Sequence, residues 1–315
     1  MTAVAKSFLS LNHLSPSDMR DLLALSAQLK AEKKRREFPM RLAHKNIALL
    51  FEKMSTRTRC SFSVACRDEG AQTDFLGASD IHLGKKESLE DTSRVLGRFY
   101  DGIVYRGYAQ STAETLARMS GVPVFNALTD EEHPTQALAD LMTLQEHFSH
   151  LSGLKIVYVG DAANNVAHSL MHACALVGAH FVSASPALFS PSQSALVQAT
   201  EVCRSTGGTI TVEENPLRAV EGADVLYTDV WVSMGFESTP DIENRVRILK
   251  NYQVNRQLMA ATGVAHTVFL HCLPANKGLE VTEDVFEDKQ SLVFEQAENR
   301  LHTIKAVLVS SLGNC

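Results

Sequence analysis

The chain has 315 residues, 45% hydrophobic and 21% charged, with a formal net charge of -6. That is the composition of a soluble globular protein with room for two cores. The small negative charge argues against a general affinity for nucleic acid or anionic membrane, and no apolar run approaches the ~20 residues of a membrane-spanning helix.

The opening stretch, MTAVAKSFLSLNHLSPSD, has one Lys and no sustained apolar run, so no secretory signal is expected. Six cysteines (60, 66, 174, 203, 272 and 315) are spread without a paired pattern. That spacing predicts reduced thiols and a cytoplasmic location.

The first helix carries its own start signal, with Ser15 as cap, Pro16 at the first position and Asp18 in the first turn. Met19, Leu22, Leu23 and Ala27 share one face of it. The basic run Lys30–Arg36 is expected to be a solvated helix end. NIALLFE (46–52) then predicts a buried strand, STRTRCSFSVACRDEG a helix, and GIVYR (102–106) and VPVFNA (122–127) further strands. HPTQALADLMTLQEHF (133–148) is a long amphipathic helix. A break near Ser149–Gly153 precedes a second cycle: LKIVYVGD, a helix from about Asn165, HFVSASP, and a helix capped by Ser190 with Pro191 at its first position. TITVEEN, DVLYTDVW and TVFLHCLP complete that cycle, and AENRLHTIKAVLVSSLG is a terminal helix. Short apolar strands alternating with helices predict an α/β protein with two doubly wound parallel sheets. Ligands in such sheets bind beyond the carboxyl ends of the strands.

The residues following the strands are polar and suited to anions. Ser55, Thr56, Arg57, Thr58 and Arg59 open a helix directly after a strand, where unpaired N–H groups and the helix dipole favour phosphate. The glycines and lysine of a nucleotide-binding P-loop are absent. Arg106 ends a strand, and His133 caps a helix whose first residue is Pro134, with Gln136 one turn on. In the second half VYVGD lacks the glycines of a dinucleotide turn, which demotes an NAD enzyme. Asn164 and Asn165 follow that strand, Asp229 ends another, and Ser233-Met234 lie in the loop beyond. His271 and Cys272 are adjacent on a strand, so a nucleophilic dyad is not expected; Cys272 should line a pocket while His271 turns to the other face. No cluster has convincing metal spacing, and neither a metal nor a cofactor is expected. A phosphate site in one half and an amine-and-carboxamide site in the other predict a transferase joining a phosphorylated donor to an amino acceptor.

FEKMSTRTR, YRG, HPTQ, a D-x-x-N-N segment, DVWVSMG, HCLPA and AENRLHTIKA occur in that order. The set resembles the ornithine carbamoyltransferases of the aspartate/ornithine carbamoyltransferase family, over about residues 46 to 313. The resemblance implies a carbamoyl-phosphate-binding domain over 1–148, joined by the C-terminal helix at about 292–315, and an L-ornithine-binding domain over 149–291. It implies that Ser55, Thr56, Arg57, Thr58, Arg106, His133, Gln136, Arg300 and the backbone of Cys272 and Leu273 take carbamoyl phosphate. Asn165, Asp229, Ser233 and Met234 would take ornithine, with Asp229 and Cys272 near the reacting amine. His82 and Lys86 would come from the adjacent subunit of a homotrimer. Arg106, His133, Asp229 and Cys272 are thus the expected catalytic group. Two departures from many bacterial members are Ala163 in place of Arg and His82 in place of Gln. The rivals are a carbamoyltransferase using putrescine or aspartate, an NAD-dependent oxidoreductase, and a scaffold without activity.

Overall fold

The structure is a computed structural model and describes residues 7–79, 87–232 and 242–313. It divides into two compact units, Met1–Met142 with Glu298–Cys315, and Thr143–Ala297.

In the first unit a capping box between Ser15 and Asp18 starts α1 (Pro16–Lys34). The chain then alternates through β1 (Asn46–Phe51), α2 (Thr56–Asp68), β2 (Gln72–Gly77), α3 (Leu89–Phe99), β3 (Gly102–Arg106), α4 (Gln110–Ser120), β4 (Val124–Leu128) and α5 (Pro134–Phe148), which passes into the second unit at Thr143. The sheet order is β2-β1-β3-β4, every pairing parallel. Ile47 to Phe51 and all of β3 are buried, which is why these segments read as unbroken apolar runs. Ala48, Leu50, Ile103, Tyr105, Leu116 and Val124 form one core. Helices α3 and α4 approach so closely that a Cβ at Gly97 would fall on the Ser120 carbonyl. Phe8 extends the sheet edge through a parallel bridge to Phe125.

The second unit runs β5 (Lys155–Val159), α6 (Asn165–Val177), β6 (His180–Ala184), α7 (Gln193–Thr206), β7 (Thr209–Glu213), α8 (Pro216–Ala219), β8 (Val225–Thr228), α9 (Ile242–Leu249), α10 (Arg256–Ala261), β9 (Val268–His271) and α11 (Glu283–Phe286), and α12 (Val293–Leu312) begins there. Its sheet order is β7-β6-β5-β8-β9, again parallel throughout. Val157, Val159, Leu226, Phe269 and Val281 anchor its core. From Glu298 onward the chain belongs to the first unit, so the two parallel-sheet units and the returning chain end agree with the sequence reading.

Two local expectations are corrected. Helix α7 is capped by Ser192, whose Oγ accepts from Ala195 N–H, and not by Ser190, which closes the preceding short 3-10 turn. The basic run is not wholly solvated: Lys30 is 8% exposed and donates to Asn299 Oδ1 at 2.7 Å, and Lys33 pairs with Asp68. No described helix is long and apolar enough to cross a membrane. The described cysteines, all but Cys315, are free thiols.

Candidate functional site

Strand order decides where each unit can hold a ligand. In the first sheet the connections depart in opposite directions from β1, so the crevice beyond β1 and β3 is the topological switch point. Ser55 and α2 follow β1, and Arg106 is the last residue of β3. Ser55 caps α2, accepting from Thr58 N–H at 3.3 Å, and its hydroxyl donates to Thr58 Oγ1 at 3.2 Å. Arg106 Nη1 and Arg300 Nη2 donate to the same oxygen at 3.4 and 3.3 Å. All three contacts are donated to Thr58 Oγ1, so none of them uses the hydroxyl's own proton.

Arg300 comes from α12 and also donates Nη1 to Gln136 Oε1 at 2.7 Å, while Gln136 Nε2 donates to Asp140 Oδ1 at 2.8 Å. His133 precedes Pro134, the first residue of α5, and its carbonyl accepts from Ala137 N–H, as the cap reading expected. Burial first, then the guanidiniums of Arg300, Arg106 and Arg57, hold the His133 ring well below the usual histidine range. It is therefore a neutral imidazole among cations, able to donate a hydrogen bond without adding charge. Thr58, Arg106, His133, Gln136 and Arg300 are each at most 5% exposed. Thr56 is exposed and Arg57 half-buried. Tyr105 donates to Glu52 Oε2 at 2.5 Å behind the β3 end, and a Cβ on Gly107 would strike both side chains. That collision explains the glycine after Tyr-Arg.

In the second sheet the switch point lies beyond β5 and β8, between the Asn pair and Asp229. Asn164 caps α6: Oδ1 accepts from Ala167 N–H, and Nδ2 donates to Tyr158 Oη and the Asp161 carbonyl, both at 2.9 Å. Asn165 is the first helical residue, which leaves it as the member of the pair not spent on the cap. Asp161, buried and raised in pKa chiefly by that burial, accepts from Ala163 N–H at 3.0 Å and from Arg245. Arg245 also reaches the Trp231 carbonyl and lies over the Phe189 ring.

Cys272 Sγ donates to Asp229 Oδ1 at 3.0 Å. His271 is not turned fully away as expected: a ring nitrogen, the thiol sulfur and an Asp229 oxygen lie within 4.8 Å of one another. The reason is that β9 ends at His271, so strict strand alternation does not extend to Cys272. Such spacing suits a metal ion, yet both His271 nitrogens are engaged: Nδ1 accepts from Leu273 N–H at 2.9 Å, and Nε2 lies 3.2 Å from Glu280 Oε1. Leu273 has φ 60°, left-handed for a residue with a γ-branched side chain. His82, Lys86, Ser233 and Met234 lie outside the described residues.

The carbamoyl-phosphate-binding domain profile of the aspartate/ornithine carbamoyltransferases matches residues 6–146, and the aspartate/ornithine-binding domain profile matches residues 152–311. The chain belongs to the aspartate/ornithine carbamoyltransferase family. Among curated relatives of this carbamoyltransferase, the ornithine carbamoyltransferase of Pseudothermotoga lettingae is 52% identical over 98% of this chain and 97% of its own length. That of Caldanaerobacter subterraneus is 52% identical over the same shares. The solved ornithine carbamoyltransferase of Pyrococcus furiosus superposes with a TM-score of 0.96 at 40% identity, covering 100% of this chain and 99% of that one. The motifs of this carbamoyltransferase were visible in its sequence, whereas Asp161, Arg245 and Glu280 were not singled out. Glu280 lies in an ordinary acidic stretch, and only its complete burial distinguishes it.

Proposed function

We propose that this enzyme transfers the carbamoyl group of carbamoyl phosphate to the δ-amine of L-ornithine, giving L-citrulline and phosphate. The observation that carries the reading is Thr58, a buried hydroxyl that accepts from Arg106 and Arg300 and keeps its own proton for a ligand. Placed at the start of α2, it combines an oxyanion donor with a helix terminus suited to phosphate.

Ser55, Thr56, Arg57 and Thr58 bind the phosphate and carbonyl of the donor, with Lys86 and His82 supplied by the neighbouring subunit of a homotrimer. Arg106, His133 and Thr58 donate to the carbonyl oxygen, and Gln136 holds the carbamoyl nitrogen. Leu273 N–H is already given to His271 and Pro274 has no N–H, so the Cys272–Leu273 backbone offers carbonyl oxygens to that amine. Arg300 keeps Gln136 and Thr58 in place. Asn165, Asp229, Ser233 and Met234 hold ornithine, with Asp229 and Cys272 nearest the δ-amine.

The free δ-amine resembles lysine, with a pKa of ~10.4, so it binds as an ammonium and first loses a proton. Its nitrogen lone pair attacks the carbonyl carbon, forming the C–N bond and a tetrahedral oxyanion. The oxyanion collapses and the C–O bond to phosphate breaks, its electron pair leaving with phosphate. The nitrogen then loses its second proton; one of the two protons ends on phosphate and the other in solvent. Arg57 and the α2 terminus offset the negative charge of the departing phosphate until it takes up its proton. No covalent enzyme intermediate, metal or cofactor takes part. Carbamoyl phosphate is a mixed anhydride and the activated partner, so the working direction is citrulline synthesis, as in arginine biosynthesis. A cytoplasmic site of action accords with the free cysteines.

Citrulline formation from carbamoyl phosphate, with ornithine, putrescine and aspartate as alternative acceptors, tests the proposal. Turnover with ornithine alone is expected. Turnover with putrescine or aspartate instead would replace the acceptor, and no product from any of them would end the reading.

A further inference from the structure

The Cys272–Leu273 turn rests on a buried pair that the reaction scheme does not use. His271 and Glu280 are both fully buried, with Nε2 and Oε1 3.2 Å apart. Glu280 Oε1 also accepts from Asn276 N–H at 2.5 Å, so one carboxylate oxygen ties β9 to the far side of the HCLPAN loop. The His271 backbone is fixed as well: its N–H donates to Gln296 Oε1 at 3.0 Å, and Gln296 Nε2 donates to Tyr227 Oη at 3.1 Å. With backbone and Nε2 both anchored, Nδ1 stands where it accepts the Leu273 amide at 2.9 Å. Leu273 adopts φ 60°, a left-handed conformation that strains a non-glycine residue and persists only when its surroundings hold it.

We propose that Glu280 and His271 are positioning residues: Glu280 selects the Nε2–H tautomer of His271, and the Nδ1 lone pair so exposed pins the Leu273 amide. The turn then presents its carbonyls to the carbamoyl amine in a single arrangement. A carboxylate can only accept, so the proton between the pair belongs to Nε2 and the acceptor lone pair to Nδ1. The inference rests on the proposed role of this turn in taking carbamoyl phosphate.

A pair of amide substitutions separates positioning from mere packing. In His271→Asn the side-chain oxygen falls near the place of Nδ1 and keeps an acceptor for Leu273, but contact with Glu280 is lost. In His271→Gln the amide reaches towards Glu280 and the Leu273 acceptor is lost. The expected result is that His271→Asn keeps kcat/KM for carbamoyl phosphate within about threefold while His271→Gln lowers it by about tenfold or more, mostly through KM. Glu280→Gln, still an acceptor for both donors, should remain near wild type, and Glu280→Leu should follow His271→Gln. Equal losses in the two His271 variants, tracking their loss of thermal stability, would overturn the proposal. Ring-nitrogen NMR of histidine-labelled wild-type protein, with His271 assigned by its absence from the Asn variant, supplies a readout independent of activity. An accepting Nδ1 beside a protonated Nε2 is expected, and an Nδ1–H tautomer or an imidazolium would refute it. Should wild type form no citrulline, the functional reading fails while this spectrum still decides the tautomer.

Discussion

Replacing Thr58 by valine removes one hydroxyl from the first unit and leaves the side chain nearly the same size. Three donors then lose an acceptor in a place 1% exposed: Ser55 Oγ at 3.2 Å, Arg300 Nη2 at 3.3 Å and Arg106 Nη1 at 3.4 Å. These are long contacts, each worth about 0.5–1.5 kcal/mol net, and they converge on one atom, so they do not sum. The fold should lose about 1–2 kcal/mol. Turnover should lose more, because the proposed mechanism gives the hydroxyl proton to the reacting oxygen. Removing one oxyanion donor costs ~10²–10³ in turnover, or ~3–4 kcal/mol of transition-state stabilisation. The separation between those magnitudes is the signature. Steady-state citrulline formation with carbamoyl phosphate varied gives the loss of turnover, and denaturant unfolding gives the loss of stability. Thr58→Ser restores the hydroxyl and should recover activity to within about threefold, less than one hydrogen bond is worth. A valine variant with wild-type kcat/KM, or one whose activity falls only in step with its stability, would refute the assignment of Thr58 as an oxyanion donor.

Three further outcomes are expected. Cys272→Ala should raise KM for ornithine about three- to tenfold by taking the thiol donor from Asp229, and Cys272→Ser should restore it; an unchanged KM in the alanine variant removes Cys272 from the ornithine site. His302 is lowered from 6.5 to about 4, chiefly by burial and further by Lys30 and Lys305 against the opposing pull of Glu298. The unfolded chain therefore takes up a proton near pH 6.5 that the native state refuses, so stability is complete above that pH and falls as pH drops from 6.5 to about 4. The loss is about 3 kcal/mol across that window, and His302→Gln should flatten it in denaturant midpoints taken at intervals across that range; an equal fall in both proteins would show that other groups carry the acid sensitivity. Lys305, 2% exposed, pairs with Asp68 at 2.8 Å and approaches Glu69 at 3.8 Å. Lys305→Met should cost about 3 kcal/mol in urea unfolding, the low end for breaking a buried pair because Lys33 and Arg41 still face those carboxylates.

The central strands were legible because burial on both faces demands unbroken apolar runs, as in Ile47–Phe51 and Val225–Tyr227. The edge strand β2 was not, since Gln72, Thr73 and Asp74 leave half of it in water and its pattern has no apolar run. Helices α3 and α4 went unread for a related reason: their contact depends on Gly97 meeting Ser120, a fit with no local signal. The candidate anion site was readable at Ser55–Arg59 and His133 because helix starts follow capping rules that the sequence states outright. Ser192 shows the limit, for in Ser-Pro-Ser either serine satisfies those rules and only the backbone decides. Lys30 and Glu280 show another limit, since charged residues give no sign of burial until a distant partner such as Asn299 or His271 is known.

The first unit takes its closing residues, Glu298–Cys315, from the far end of the chain. Arg300, which braces Thr58 and Gln136, and Lys305, which answers Asp68, are thus synthesised only after the whole of the second unit. A nascent chain that has already released its first 142 residues still lacks both cations, and their Thr58 and Asp68 contacts stay unmade through the synthesis of the entire second unit. Bracing of Thr58 therefore requires translation through the whole second unit: a chain that stops before residue 300 lacks Arg300, however well its earlier segments have folded.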